Sequence, residues 1–344
     1  MLTSAILPSN SYNRVDKCTI ICYNRHTWGV LASRYMENRT PIRKRGLMKA
    51  NSPIMVYLER NRMIEDYLGY SVYMRYAAGL SYFNSAVLMA QRRGVGFAAS
   101  ERTWRKRFGR EIKPGAVPLL VMKPFAPLEL FFEACDTYSP NDEALPEWIA
   151  EDHASIPQFS HRTFALRSEP IARMLSRHGI WYDEREMGEL AGGTMEYADP
   201  PLWMSVYHNK GYERVQTHYA MVVNARRSPE EKAAAIFHEI GHLLCGHLPQ
   251  DEALKKVSWI SLSIPKRDID MLSLEQKEYE AETACMLIMN GLGYAYDRSA
   301  YLDGYLVNGQ RPAYDLGMAV AAADQFLGWM STDPELRHSV PSLI

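Results

Sequence analysis

Residues Ser228–Pro249 read SPEEKAAAIFHEIGHLLCGHLP, and the arrangement of the rest of the chain follows from this stretch. His238-Glu239-Ile240-Gly241-His242 sets two histidines four residues apart. On an α-helix that interval points both imidazoles from one face, so both can reach one Zn²⁺. Glu239 then stands where it can take a proton from an attacking water. Both helix ends are written in the sequence. Ser228 suits the N-cap, Pro229 the first helical position, and Glu231 completes an S-x-x-E capping box. Ala233, Ala234, Ala235, Ile236 and Phe237 form an apolar lead-in, and Gly246 with Pro249 supplies the stop. The plain alternative is a pair of core histidines held by hydrogen bonds.

A hydrolytic zinc site needs a third protein ligand and one open position. The metzincin pattern would place a histidine at position 248, which is Leu248; His247 falls one residue early. A glutamate on a following helix is the other source, and Ser273–Gly293, SLEQKEYEAETACMLIMNGLG, offers several. Ser273 and Gln276 form a second capping-box pattern. Ala281, Ala284, Cys285, Leu287, Ile288 and Leu292 make an apolar stripe at helical spacing. Glu275 and Glu282 fall on its far side, while Glu280 and Glu278 border its two edges. Periodicity leaves both candidates open, against the ordinary fate of a glutamate as a solvated surface acid.

The run VVNARRSPEEKAAAIFHEIGHLLCGH, followed by Glu280-Ala281, resembles the ImmA/IrrE family of zinc metallopeptidases. That family's pattern is a strand ending in Asn, a short turn, H-E-x-G-H, and a helix carrying E-A-x-x-F-A. The resemblance implies His238, His242 and Glu280 as Zn²⁺ ligands and Glu239 as the base. The chain departs from it at Ala284 and Cys285, where the family usually has Phe-Ala, and in a longer gap between the helices.

Earlier in the chain, apolar and aromatic residues from Ile64 to Leu88 recur near the helical period, with interruptions at Gly69 and Gly79. The following run, GFAASERTWRKRFGREIKPGAVPLLVM, sets Trp104 among Arg102, Arg105, Lys106, Arg107, Arg110 and Lys113. Cations with interleaved aromatics are the composition of single-strand nucleic-acid sites, although a core tryptophan beside solvated arginines reads the same way. Pro118–Met122 and Leu128–Ala134 read as strands. The run from Phe83 to Ala116 is similar to the N-terminal domain of ArdC-type antirestriction proteins, through Asn84, Gln91, Thr103, Trp104, Gly109, Arg110, Lys113 and Gly115. That similarity implies a single-stranded DNA-binding domain whose contacts are Trp104, Arg105, Lys106, Arg110 and Lys113. ArdC-type proteins also pair such a domain with a zinc-peptidase-like one.

The 344 residues suffice for two cores, and a net charge of -1 argues against a general polyanion binder. Five cysteines without zinc-ribbon spacing read as scattered reduced thiols, Cys18 and Cys22 included, which fits a cytoplasm. MLTSAILPSNSYNR is a poor signal peptide, and no apolar run reaches the ~18 residues of a membrane span. The basic stretch holding Arg39, Arg43, Lys44, Arg45 and Lys49 reads as a solvated arm. A helix is expected near Ile171–Leu175, a loop at Gly192–Gly193, strands at 206–209 and 217–224, and a closing helix at Met318–Trp329. His208 and His218 read as structural or surface residues. The five tyrosines from Tyr294 to Tyr314 could include one that stabilises an oxyanion.

The expected architecture is therefore α+β: a zincin-like metallopeptidase domain at 166–330, preceded by a small α+β DNA-binding-like domain at 61–145. Around them lie an arm at 1–60, a linker at 146–165 and a tail at 331–344. The expected function is a zinc-dependent regulatory metallo-endopeptidase that cleaves a protein or peptide, coupled to single-stranded DNA binding. The alternative is an antirestriction protein whose zinc domain is mainly structural.

Overall fold

The helical period before Arg93 resolves into three helices, α1 (Pro53–Arg60), α2 (Ile64–Ala78) and α3 (Tyr82–Gln91). Gly79 closes α2 with a φ of 62°, the left-handed conformation glycine adopts without strain. Ser81 caps α3 by accepting the Asn84 N–H. Gly69, expected as a break, lies inside α2, and α1 comes from the stretch expected to be irregular. This computed structural model describes residues 52–123, 128–150, 164–208, 211–297 and 299–342. The basic stretch from Arg39 to Lys49, the pair Cys18 and Cys22, and most of the expected linker lie outside them.

Seven short elements follow: β1 (Ala98–Ser100), α4 (Glu101–Phe108), β2 (Glu111–Ile112), β3 (Leu119–Val121), β4 (Glu129–Glu133), β5 (Thr137–Tyr138) and α5 (Glu147–Ala150). The order β1-β4-β3 makes an antiparallel sheet, and β2 pairs with β5. Asn84 and Gln91, two turns apart on α3, face β3 with their amides. Asn84 donates to the Met122 carbonyl at 2.9 Å and accepts its N–H at 3.0 Å. Gln91 makes the same pair with Leu120, both at 2.8 Å. These amides occupy backbone groups that a neighbouring strand would otherwise take.

Of the residues expected to contact DNA, Trp104 lies in the core, whereas Arg105, Lys106 and Lys113 are exposed and Arg110 is half-buried. Trp104 is fully buried; its indole N–H donates to the Phe132 carbonyl at 2.8 Å, and its ring packs edge-on to Phe97. No face is left for a base to stack on. Arg110 donates to the Thr137 hydroxyl at 2.8 Å and to its carbonyl, and Lys113 donates to the Cys135 carbonyl at 2.8 Å. Both tie the strand after β4 in place. Arg105 and Lys106 are exposed on α4, and Arg105 pairs with Glu101. Trp104→Ala should cost about 3–5 kcal/mol of stability, the usual range for emptying a buried aromatic site, read as a shift in a urea unfolding midpoint. An unchanged midpoint would mean the side chain is not core.

The second half contains α6 (Ser168–Arg177), β6 (Trp181–Arg185), β7 (Gly193–His208), β8 (Gly211–Asn224), α7 (Pro229–Leu244), α8 (Leu274–Gly291), α9 (Ser299–Leu302) and α10 (Leu316–Thr332). The sheet order is β6-β8-β7, with β6 parallel and β7 antiparallel to β8. Gly192 ends the expected loop, and Gly193 is already the first residue of a 16-residue strand. Its register shifts between Tyr197 and Leu202, where Pro200 and Pro201 supply no N–H to the ladder.

The two halves share one core. The Tyr82 hydroxyl of α3 donates to the Leu287 carbonyl of α8 at 2.5 Å. Asp324 of α10 accepts the N–H groups of Tyr82 and Phe83 at the start of α3. The described residues therefore lie in one compact unit, within Leu47–Ile344, that takes in the described parts of both 61–145 and 166–330. The described start of the expected linker is part of the packing, since Trp148 of α5 lies edge-on to Phe97. The expected tail is packed too, with Leu336 buried and Asp333 paired with Arg177. The fold is mixed α and β, and among the described residues no helix is long and apolar enough to cross a membrane.

Candidate metal centre

Helix α7 forms with the ends its sequence specifies. Ser228 accepts the Glu231 N–H and Glu231 accepts that of Ser228, closing the capping box. At the other end Gly246, with φ 79°, completes a Schellman turn: its N–H donates to Leu243 and that of His247 to the His242 carbonyl. Asn224 ends β8 and is buried. Its amide accepts from Met187 and Arg226 and donates to Gly188 and Ala191, so it fixes the loop that delivers β7 to α7. The second box is one-sided: Ser273 accepts the Gln276 N–H, but the Gln276 amide donates to Glu280.

Helix α8 crosses α7 at Gly241. A Cβ there would lie 2.6 Å from the Ala281 carbonyl oxygen and 2.8 Å from its Cα. Only glycine allows that approach, and the approach brings the α8 carboxylates to the α7 histidines. His238 Nε2 and His242 Nε2 are 3.1 Å apart; Glu278 carboxylate oxygens lie 3.4 Å from the first and 3.5 Å from the second. Bonds of about 2.0–2.2 Å at tetrahedral angles give ligand–ligand edges of about 3.3–3.6 Å, so these donors fit one Zn²⁺.

Glu280, the third ligand implied by family resemblance, is not in this group. It is fully buried on the other side of α8, where it accepts from both guanidinium nitrogens of Arg267, the Gln276 amide, the Asp315 N–H and His247. The two glutamates differ by two residues, about 200° around a helix. Glu278, Ala281, Glu282 and Cys285 face α7, with Ala281 under Gly241 and the Cys285 thiol 3.4 Å from the Ala234 carbonyl. Helix α8 is buried nearly all round, against α7, α10 and α2, so an apolar stripe could not reveal which face meets the histidines.

Glu282 holds His238 from behind, 2.7 Å from Nδ1, and also accepts the Tyr296 hydroxyl at 3.0 Å. His242 Nδ1 meets His247 Nδ1 at 2.9 Å. Burial works against a charged His238, but Glu278 and Glu282 outweigh it and raise its pKa to about 10. Burial, reinforced by His238 and His247, lowers His242 to about 3. Burial opposes ionisation of Glu278, yet His238, His242 and the Tyr301 hydroxyl hold it at about 2. Burial also lowers His247.

Glu239 lies beside this group and accepts the Met195 N–H of β7; burial, aided by Glu278, raises its carboxyl to about 7. The Tyr301 hydroxyl donates to Glu278 at 2.8 Å and lies 3.2 Å from that of Tyr305. Of the dense tyrosines, Tyr301 is thus the one bonded to a candidate ligand. Glu282, by periodicity a far-side acid, and His247, one residue short of the metzincin position, both stand against the candidate ligands. The four-residue interval from Glu278 to Glu282 was the available signal for a shared face.

Other groupings are less suited to a cation. Cys245, His247 and Glu280 cluster, but the Arg267 guanidinium already occupies Glu280 and the Cys245 carbonyl. Arg92 likewise bridges Glu133 and Asp136, both at 2.7 Å. His218 bonds to the Ala198 carbonyl and stacks on Tyr197, while His208 stacks on Trp259. Compared with protein-family models, curated proteins and solved structures, the chain finds no match.

Proposed function

We propose that this chain is a zinc-dependent metallo-endopeptidase of regulatory type, cleaving a protein or peptide at the α7–α8 site. The observation that carries this reading is the convergence of His238, His242 and Glu278 at metal-ligand spacing, with Glu239 beside them. Those three side chains would hold Zn²⁺, which when bound lowers the pKa of water and polarises a carbonyl. Glu239, with a carboxyl near 7, takes the proton from the attacking water and passes it to the leaving amine. Strand β7 is at the sheet edge, with Met195 bonded to Glu239, so an extended peptide can add to that edge by main-chain hydrogen bonds. The Tyr301 hydroxyl stands ready to donate to the oxygen that becomes negative.

The alternative, an antirestriction DNA-binding protein with a structural zinc domain, is supported by the exposed basic face of α4, Arg102 and Arg105 to Arg107. The burial of Trp104 weighs against it. Glu239→Gln separates the two. With a fluorogenic peptide mixture, kcat/KM should fall about 10²–10⁴-fold while bound zinc is retained. Undiminished hydrolysis in that variant would remove Glu239 as the base.

A further inference from the structure

We infer that His247 is a positioning residue: it fixes the tautomer and the ring orientation of His242 and transmits to it the negative charge of Glu280. The inference rests on the proposed function, because it concerns how a ligand of that site is held.

Glu280 is the fixed end of this network. Its carboxylate is buried and receives Arg267, the Gln276 amide and the Asp315 N–H, which keep it ionised and therefore an acceptor only. His247 Nε2 lies 2.9 Å from it, so that nitrogen carries the proton. A neutral imidazole with a proton on Nε2 has a lone pair on Nδ1. That lone pair faces His242 Nδ1 at 2.9 Å, so His242 must donate there. Its own Nε2 is then unprotonated and aimed at His238 and Glu278, as a ligand requires. Reversing either bond would set two lone pairs or two protons against each other.

His238 is oriented by a shorter route, since its Nδ1 meets Glu282 directly. The two ligands are thus oriented by two carboxylates of α8, one directly and one through an interposed imidazole. The backbone makes the longer route possible. The left-handed Gly246 turns the chain back so that the His247 N–H bonds the His242 carbonyl at 3.0 Å, which brings its ring against that of His242. Family resemblance offered Glu280 as a ligand; the geometry makes it the anchor of a ligand's partner.

His247→Phe keeps a planar ring of similar size and removes both nitrogens. It should weaken zinc binding about ten- to hundredfold, the usual cost of losing an outer partner, measured by competition with a chromophoric chelator. A purely packing role would lower the melting temperature and leave the affinity of the folded protein unchanged. Equal affinity in His247→Phe and wild type overturns the inference. Failure of the wild type to bind zinc overturns the proposed site instead, so the two are distinguishable.

The ring ¹⁵N shifts of wild-type protein labelled at histidine, with and without added zinc, decide the matter even if His247→Phe does not fold. Protonated Nδ1 on His242 and protonated Nε2 on His247 are expected in both samples. The opposite tautomer on either residue overturns the inference.

Discussion

Glu278→Ala should lose zinc, whereas Glu280→Ala should retain the three ligands and bind more weakly. A four-ligand zinc site is worth about 10–16 kcal/mol, or about 3 kcal/mol per ligand, so removing one should weaken binding about a hundredfold or more. Glu278 is the only carboxylate within 3.5 Å of both Nε2 atoms among the described residues. Its loss also frees the Tyr301 hydroxyl from the bond that now holds it. Removing Glu280 acts indirectly, through His247, and leaves the Arg267 guanidinium without its buried partner. The cost should therefore divide, with Glu278→Ala mainly lowering affinity and Glu280→Ala mainly lowering stability. Chelator competition and thermal melting on both variants check this, and equal zinc affinity in Glu278→Ala and wild type would refute the assignment.

The second large effect is expected at Gly241. In Gly241→Ala the added methyl meets the Ala281 carbonyl oxygen at 2.6 Å and its Cα at 2.8 Å. Backbone atoms cannot rotate away, so α7 and α8 must separate. Overpacking of this kind costs about 1–3 kcal/mol, of which the better helix propensity of alanine returns up to about 1 kcal/mol. The effect on the site should exceed the effect on stability, because the ligands sit on both helices. Zinc affinity should fall more than about tenfold, since the edges of 3.4 and 3.5 Å from Glu278 to the two histidines widen with the helices. A modest melting shift with unchanged affinity would show that the crossing does not set the ligand spacing.

Local features of the sequence carry over well where a residue acts on its own neighbours. Ser228 and Glu231 close their box, Gly246 ends α7, and the two histidines share a face, because these depend on spacing within one helix. Glu278 and Glu280 could not be separated in that way, since α8 packs on several sides and its outward face is not defined by polarity. The same limit applies to Trp104 and Arg110. A basic run around a tryptophan has one composition whether the ring stacks on bases or, as here, donates to Phe132 inside the core. The long hairpin β7–β8 was legible only in part because two prolines and a register shift interrupt its alternation. The joining of 61–145 to 166–330 depends on contacts such as Asp324 with Tyr82, which lie 242 positions apart.

The most direct test of the central claim is anomalous diffraction at the zinc absorption edge from a crystal of the wild-type protein. The expected result is a single strong peak about 2.0–2.2 Å from His238 Nε2, His242 Nε2 and a Glu278 oxygen. No peak at that point, or one among Cys245, His247 and Glu280, would contradict it.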